Sequence, residues 1–143
     1  MEDIKYVFEV EKDDFVRAGE ASSNIKKILR QLGIDSGVIR KISIATYEAE
    51  MNIVIHSLGG RVILEVTPDF IKVIACDRGP GIADPELAMQ EGYSTATEKV
   101  REMGFGAGMG LPNMKKCSDR FNMNSTVGKG TEIFMEVDLK AGD

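Results

Sequence analysis

Apolar and polar positions change period several times along this chain, and each change marks an element boundary. From Ile4 to Val10 the apolar residues Ile4, Tyr6, Phe8 and Val10 alternate with charged or small ones, the two-residue period of a half-buried strand. Asp13 or Asp14 then offers a cap for a helix whose stripe runs Phe15, Ala18, Ser22, Ile25, Leu29 and Leu32, with Gly33 as its stop. A second helix opens at Asp35 or Ser36, carries Val38, Ile42, Ala45, Ala49 and Ile53 on one stripe, and ends near Ser57. Arg61 to Thr67 and Phe70 to Asp77 read as two strands of an antiparallel hairpin that turns at Pro68-Asp69.

Downstream the pattern is sparser. Asp77-Arg-Gly79-Pro-Gly81 breaks the strand, and Asp84-Pro85 begins a short helical segment to about Glu91. Gly92 to Ala107 lacks hydrophobic periodicity and is predicted as a mobile loop. Leu111 to Phe121 follows as a helix with Pro112 in its first turn, then strands at Phe121 to Val127 and Glu132 to Leu139 joined through Gly128-Lys-Gly130. Hairpins rather than crossovers imply a mostly antiparallel sheet with helices on one face. The expected fold is a two-layer α/β (α+β) sandwich, residues 1–143 forming a single domain.

Composition narrows the class. With 143 residues there is room for one substantial core, and regulation must come from other chains. The 18 Lys and Arg against 23 Asp and Glu leave a formal charge of −5, which offers no broad basic surface for nucleic acid. A protein or small-molecule partner is expected instead. No membrane span or signal peptide is visible, and the two cysteines, Cys76 and Cys117, fit no metal-ligand spacing, which suits a reducing cytoplasm.

Three groups of residues bear candidate chemistry. In Gly104-Phe-Gly106-Ala-Gly108-Met-Gly110 glycine takes every second position, which suits a backbone that turns its N–H groups onto an anion ahead of a helix N-terminus. A flexible connector is the plainer reading of the same run. Asp77 shares a strand face with Ile71, Val73 and Ala75, so its carboxylate points toward the core and needs a donor, either a nucleobase amino group or its own turn. Glu48 and Asn52 stack one turn apart on the second helix: a base and a neutral oxygen ligand for magnesium, or a solvated helix edge.

Other phosphate signatures fail. Gly128-Lys-Gly130-Thr131 lies in a hairpin turn without P-loop spacing, no strand directly precedes the 104–110 glycines as a dinucleotide fingerprint requires, and Cys76-Asp77-Arg78-Gly79 is neither kinase catalytic loop nor D-F-G. In contrast, Tyr47-Glu48-Ala-Glu-Met-Asn52, Asp77-Arg-Gly79-Pro-Gly81-Ile82, the 104–110 run and Gly130-Thr131 fall in the order of the N, G1, G2 and G3 boxes. Together they resemble the ATP-binding (GHKL, Bergerat) fold shared by gyrase, the Hsp90 chaperones, histidine kinases and MutL. Within that superfamily the chain is most similar to the small bacterial serine/threonine kinases of partner-switching pathways. These are the anti-sigma factor kinases and, through Gln90-Glu-Gly-Tyr-Ser-Thr95 and Gly110-Leu-Pro112, the stressosome switch kinases of the RsbT type.

The resemblance implies ATP and Mg2+ as cofactors, Glu48 as general base, Asn52 as magnesium ligand, and Asp77 with Thr131, through water, as readers of adenine. It implies that Gly79 and Gly81 line the base pocket and that Gly104, Gly106, Gly108 and Gly110 hold phosphates beneath a lid over about 92–107. Ser94, Thr95, Lys99 and Arg101 are the candidate lid contacts. The run holds one more alternating repeat than the family pattern, which leaves the register of its phosphate-contacting glycines open. The implied activity is phosphorylation of a STAS-domain antagonist (anti-anti-sigma type), with a sigma factor or downstream regulatory enzyme controlled by alternative binding. A slow ATP/ADP-binding switch module and an anti-sigma factor acting by sequestration are the competing readings, and a detached histidine-kinase domain lacks its dimerising phosphoacceptor helix. His56 reads as a packed helix end, and whether the first strand and helix form a homodimer stays open.

Overall fold

The structure is a computed structural model, and it describes residues 4–79 and 110–139. Five strands, β1 (Ile4–Val10), β2 (Gly60–Val66), β3 (Phe70–Asp77), β4 (Arg120–Thr126) and β5 (Gly130–Asp138), form one sheet in the order β1-β2-β3-β5-β4. Every pairing between them is antiparallel, as the hairpin reading requires. Three helices complete the described chain: α1 (Glu20–Gln31), α2 (Ser36–His56) and α3 (Gly110–Cys117).

Strand register decides which residues meet the helices. Val62, Leu64 and Val66 of β2, Ile71, Val73 and Ala75 of β3, and Ile133, Met135 and Val137 of β5 share one buried face. Against it lie Ile25 and Leu29 of α1, Leu111 and Met114 of α3, and the α2 stripe Val38, Ile42, Ala45, Ala49 and Ile53, all buried as its spacing predicts. On the opposite face, the cross-strand row Lys5, Glu65, Lys72, Glu136 and Arg120 alternates in charge from strand to strand. Helix α2 is the central helix, with α1 on one flank and α3 on the other.

Two boundaries differ from the sequence expectation. Helix α1 begins at Glu20 rather than at Asp13 or Asp14, because Asp13 is in the left-handed region (φ 57) and Asp14 accepts the Arg17 N–H at 3.2 Å in a separate turn. The true N-cap, Gly19, has no capping side chain of its own. Glu50 of α2 supplies the missing acceptors: its carboxylate takes the N–H groups of Gly19, Ala21 and Ser22, each at 3.1 Å. Helix α3 stops at Cys117 instead of reaching Phe121, since Ser118 turns its hydroxyl back onto the Met114 carbonyl at 2.7 Å and β4 starts at Arg120.

Other signals hold. Gly33 (φ 74) closes α1 with its N–H on the Arg30 carbonyl while Ile34 N–H reaches the Leu29 carbonyl, the paired bonds of a Schellman turn. Asp35 caps α2 by accepting from Gly37 and Val38 N–H at 3.0 and 3.3 Å. The expected short helix at 84–91 and lid at 92–107 lie outside the described residues.

Candidate nucleotide site

Sequence spacing stacks Glu48 and Asn52 on one side of α2, and the fold brings the N-terminus of α3 onto that side. Gly110 opens α3, and a methyl group built on it would sit 3.2 Å from Glu48 Oε2 and 3.3 Å from Asn52 Oδ1. Only a glycine brings the backbone this close without pushing on both side chains. The first N–H groups of a helix have no intrahelical acceptor and carry the positive end of its dipole, so an anion placed here meets oriented donors. Glu48 is half-buried, and burial pushes its carboxyl above the ordinary range.

A second cluster forms where β3 ends. Thr131 N–H donates to Asp77 Oδ1 at 3.0 Å, which leaves Oδ2 of that half-buried carboxylate as a further acceptor. Burial raises the Asp77 pKa, and the Thr131 N–H draws it partly back. Thr131 is itself buried, and its hydroxyl lies 3.0 Å from that of Ser125, its cross-strand partner on β4. Glycines flank Asp77 on both neighbouring strands. A Cβ at Gly60 would meet the Cys76 carbonyl oxygen, and one at Gly130 (φ 151) the Asp77 carbonyl oxygen, both far inside van der Waals contact. Side chains there would force the strands apart at the point where the carboxylate must stay in register.

Gly79 joins this end of the site to α2. Its N–H donates to the Lys129 carbonyl at 3.1 Å, and a Cβ on it would lie 3.2 Å from the Ser57 Cα. The backbone after Asp77 is therefore threaded between the end of α2 and the β4–β5 turn. From Glu48 to Ser57 the helix rises on the order of 14 Å. Helix α2 thus runs from the Asp77 and Thr131 cluster near its C-terminal end to the cluster of Glu48, Asn52 and Gly110.

Of the residues singled out from the sequence, the structure brings Glu48, Asn52 and Gly110 together at one end and Asp77, Gly79 and Thr131 at the other. Gly81, Ser94, Thr95, Lys99, Arg101, Gly104, Gly106 and Gly108 lie outside the described residues. Ser125, Gly60 and Glu50 did not stand out beforehand. Counting the register outward from Gly128-Lys-Gly130 would have paired Ser125 with Thr131; nothing local points to Glu50. His56 sits half-buried in the last turn of α2, where burial pushes its pKa down.

Residues 13–137 match the family described as histidine kinase-like ATPase domain. The chain belongs to that family. It is 35% identical over 124 residues to the serine/threonine-protein kinase RsbT of Bacillus subtilis (strain 168), covering 84% of this chain and 85% of that protein. It is also 30% identical over 140 residues to the anti-sigma F factor of Caldanaerobacter subterraneus subsp. tengcongensis, covering 94% of this chain and 91% of the relative. A histidine kinase-like ATPase domain uses a nucleotide. Asn52 offers one neutral oxygen beside the N-terminus of α3, a donor that fits a magnesium ion held chiefly by phosphate oxygens. No helix among the described residues is long and apolar enough to cross a membrane.

Proposed function

We propose that residues 1–143 form one ATP-dependent protein serine/threonine kinase domain of a partner-switching pathway, acting in the cytoplasm. Its substrate is an antagonist of the STAS type, and it controls a sigma factor or a downstream regulatory enzyme by alternative binding. Family membership and the RsbT and anti-sigma F relatives support the activity class. The observation that carries the site assignment is the approach of Gly110 to Glu48 and Asn52, which sets a base, an oxygen ligand and a helix N-terminus around one point.

In this reading Asp77 Oδ2 accepts the adenine amino group while Oδ1 keeps the Thr131 N–H, and the Thr131 hydroxyl joins through water. Asp77 must be ionised to accept at both oxygens. Asn52 holds the magnesium ion, which when bound offsets the negative charge that develops on the phosphates. Glu48 accepts the proton of the substrate Ser or Thr hydroxyl as that oxygen bonds to the γ-phosphorus. The bond from the γ-phosphorus to the β–γ bridging oxygen breaks, and ADP leaves. Burial keeps Glu48 more basic than an ordinary carboxylate, which favours proton acceptance near neutral pH.

Incubation with Mg-ATP and a purified STAS antagonist, followed by mass spectrometry, tests the proposal. A phosphoserine or phosphothreonine on the antagonist is expected. Tight nucleotide binding with no such modification would instead leave a nucleotide-dependent switch module.

A further inference from the structure

Helix α2 carries an exposed surface beside the cluster of Glu48, Asn52 and Gly110. Along α2, Arg40, Lys41, Ile44 and Tyr47 form an exposed ridge that leads to Glu48, and Ile44 and Tyr47 are each 39% exposed. Positions 40, 44 and 47, like 41, 44 and 48, follow the spacing of one helix side. Helix α3 runs antiparallel beside it: Gly110 meets Glu48 and Asn52, while Cys117 lies within electrostatic reach of Lys41, Arg40 and Glu48.

The charge of this ridge runs against that of the molecule. The chain carries a net −5, yet Arg40 and Lys41 make no ion pair among the described residues, where the pairs are Arg17 with Asp14 and Arg120 with Glu136 and Asp138. Two cations and two partly exposed large side chains thus stand on the side of α2 that leads to the proposed base, the Tyr47 ring resting with one edge near Gly19. An acidic face with an apolar centre would complement them, whereas a basic one would be repelled.

Resting on the kinase reading above, we infer that this ridge docks the protein substrate, and that the substrate's surface around its acceptor hydroxyl is acidic. With the acceptor at Glu48, an apolar side chain one helical turn away covers Ile44 and Tyr47. Carboxylates about 10 Å from the acceptor, two turns along α2, face Arg40 and Lys41. Specificity for a folded partner then comes from the length of α2 rather than from residues flanking the acceptor in sequence.

The test uses the full chain, a STAS-domain antagonist from the same organism, and the double variant R40E/K41E. The KM for antagonist rises at least about 10-fold with kcat and the KM for ATP unchanged, and the salt dependence of kcat/KM flattens. Replacing antagonist carboxylates near the acceptor by Lys restores the double variant. Ile44→Glu, a single change at an exposed position, raises the same KM and checks the apolar centre independently. An unchanged KM and salt slope in folded, ATP-binding variants overturns the docking surface and leaves the kinase reading intact. Calorimetric titration of antagonist separates the converse case: binding that R40E/K41E abolishes, without phosphotransfer by the wild type, keeps the surface and overturns the kinase. A wild type that neither binds nor phosphorylates the antagonist overturns both.

Discussion

Helix α2 carries two glutamates two residues apart, and its two flanks treat them differently. Glu50 faces α1, is 2% exposed, and accepts three backbone N–H groups. Glu48 faces α3, is half-buried, and accepts no hydrogen bond from the described residues. Burial raises both pKa values, but at Glu50 three N–H donors and at Glu48 none of the described groups oppose it. A buried carboxylate supplied with donors is a fixed part of the fold. One left short of donors is more basic than an ordinary carboxylate, which is the property that the proposed role of Glu48 as general base requires.

Exchanging the two residues' surroundings by mutation should separate these roles. Glu48→Gln removes the base while keeping size and polarity, so phosphotransfer to the antagonist should fall roughly 100- to 10,000-fold with ATP affinity nearly unchanged. Single-turnover assays with labelled ATP, alongside calorimetry, read both quantities. Transfer within a few-fold of wild type would take Glu48 out of the mechanism. Glu50→Ala should do the reverse: it strands three N–H groups at the start of α1 and lowers stability by about 2–4 kcal/mol. For a domain of this size that is a melting temperature lower by roughly 10 °C. Activity per folded molecule should survive at low temperature, and a small change in melting would mean that Gly19 and its neighbours find other acceptors.

The same contrast shows what could be read from the chain and what could not. Glu48 and Asn52 were legible as a pair because a helix fixes the relation of i and i+4, and the strands were legible because burial imposes their two-residue period. The start of α1 was misplaced because its cap comes from Glu50, thirty residues later in another element, whereas Asp13 and Asp14 looked like caps and instead build a turn. Thr131 could be tied to adenine only by resemblance, since its contact with Asp77 depends on strand order β3-β5, which local pattern does not encode. Gly110 was visible as the end of a glycine run, but its place against Glu48 is a tertiary fact.

A smaller change probes how closely α3 must approach. Gly110→Ala adds a methyl 3.2 Å from Glu48 Oε2 and 3.3 Å from Asn52 Oδ1, tighter than ordinary contact. On propensity alone, alanine in a helix is favoured over glycine by up to about 1 kcal/mol, so the fold should not suffer. ATP binding should weaken by roughly 3- to 10-fold, about 1 kcal/mol, as α3 or the two side chains shift. Unaltered affinity and transfer would mean that the α3 N-terminus does not set the phosphate end.

The smallest expected effect has the sharpest sign. Because burial raises the Glu48 pKa, the folded chain binds that proton more tightly than the unfolded chain does. Its stability contribution is then fully present below the unfolded pKa, from 4.5, and is lost as pH rises through the higher folded value. Glu48→Gln cannot ionise and escapes that loss. Its melting temperature should match wild type at a pH below the unfolded pKa of 4.5 and exceed it at neutral pH, a gain in stability where activity is lost. Wild-type kcat/KM should rise with pH over the same interval in which wild-type stability falls, and the residual activity of Glu48→Gln should lack that rise. Thermal scans from about pH 3 to 8 and rate profiles over the part of that range in which the chain stays folded read both curves. A wild type at least as stable as the variant at neutral pH would mean that Glu48 is paid for in the folded chain as fully as Glu50, and the distinction between the two flanks of α2 would collapse.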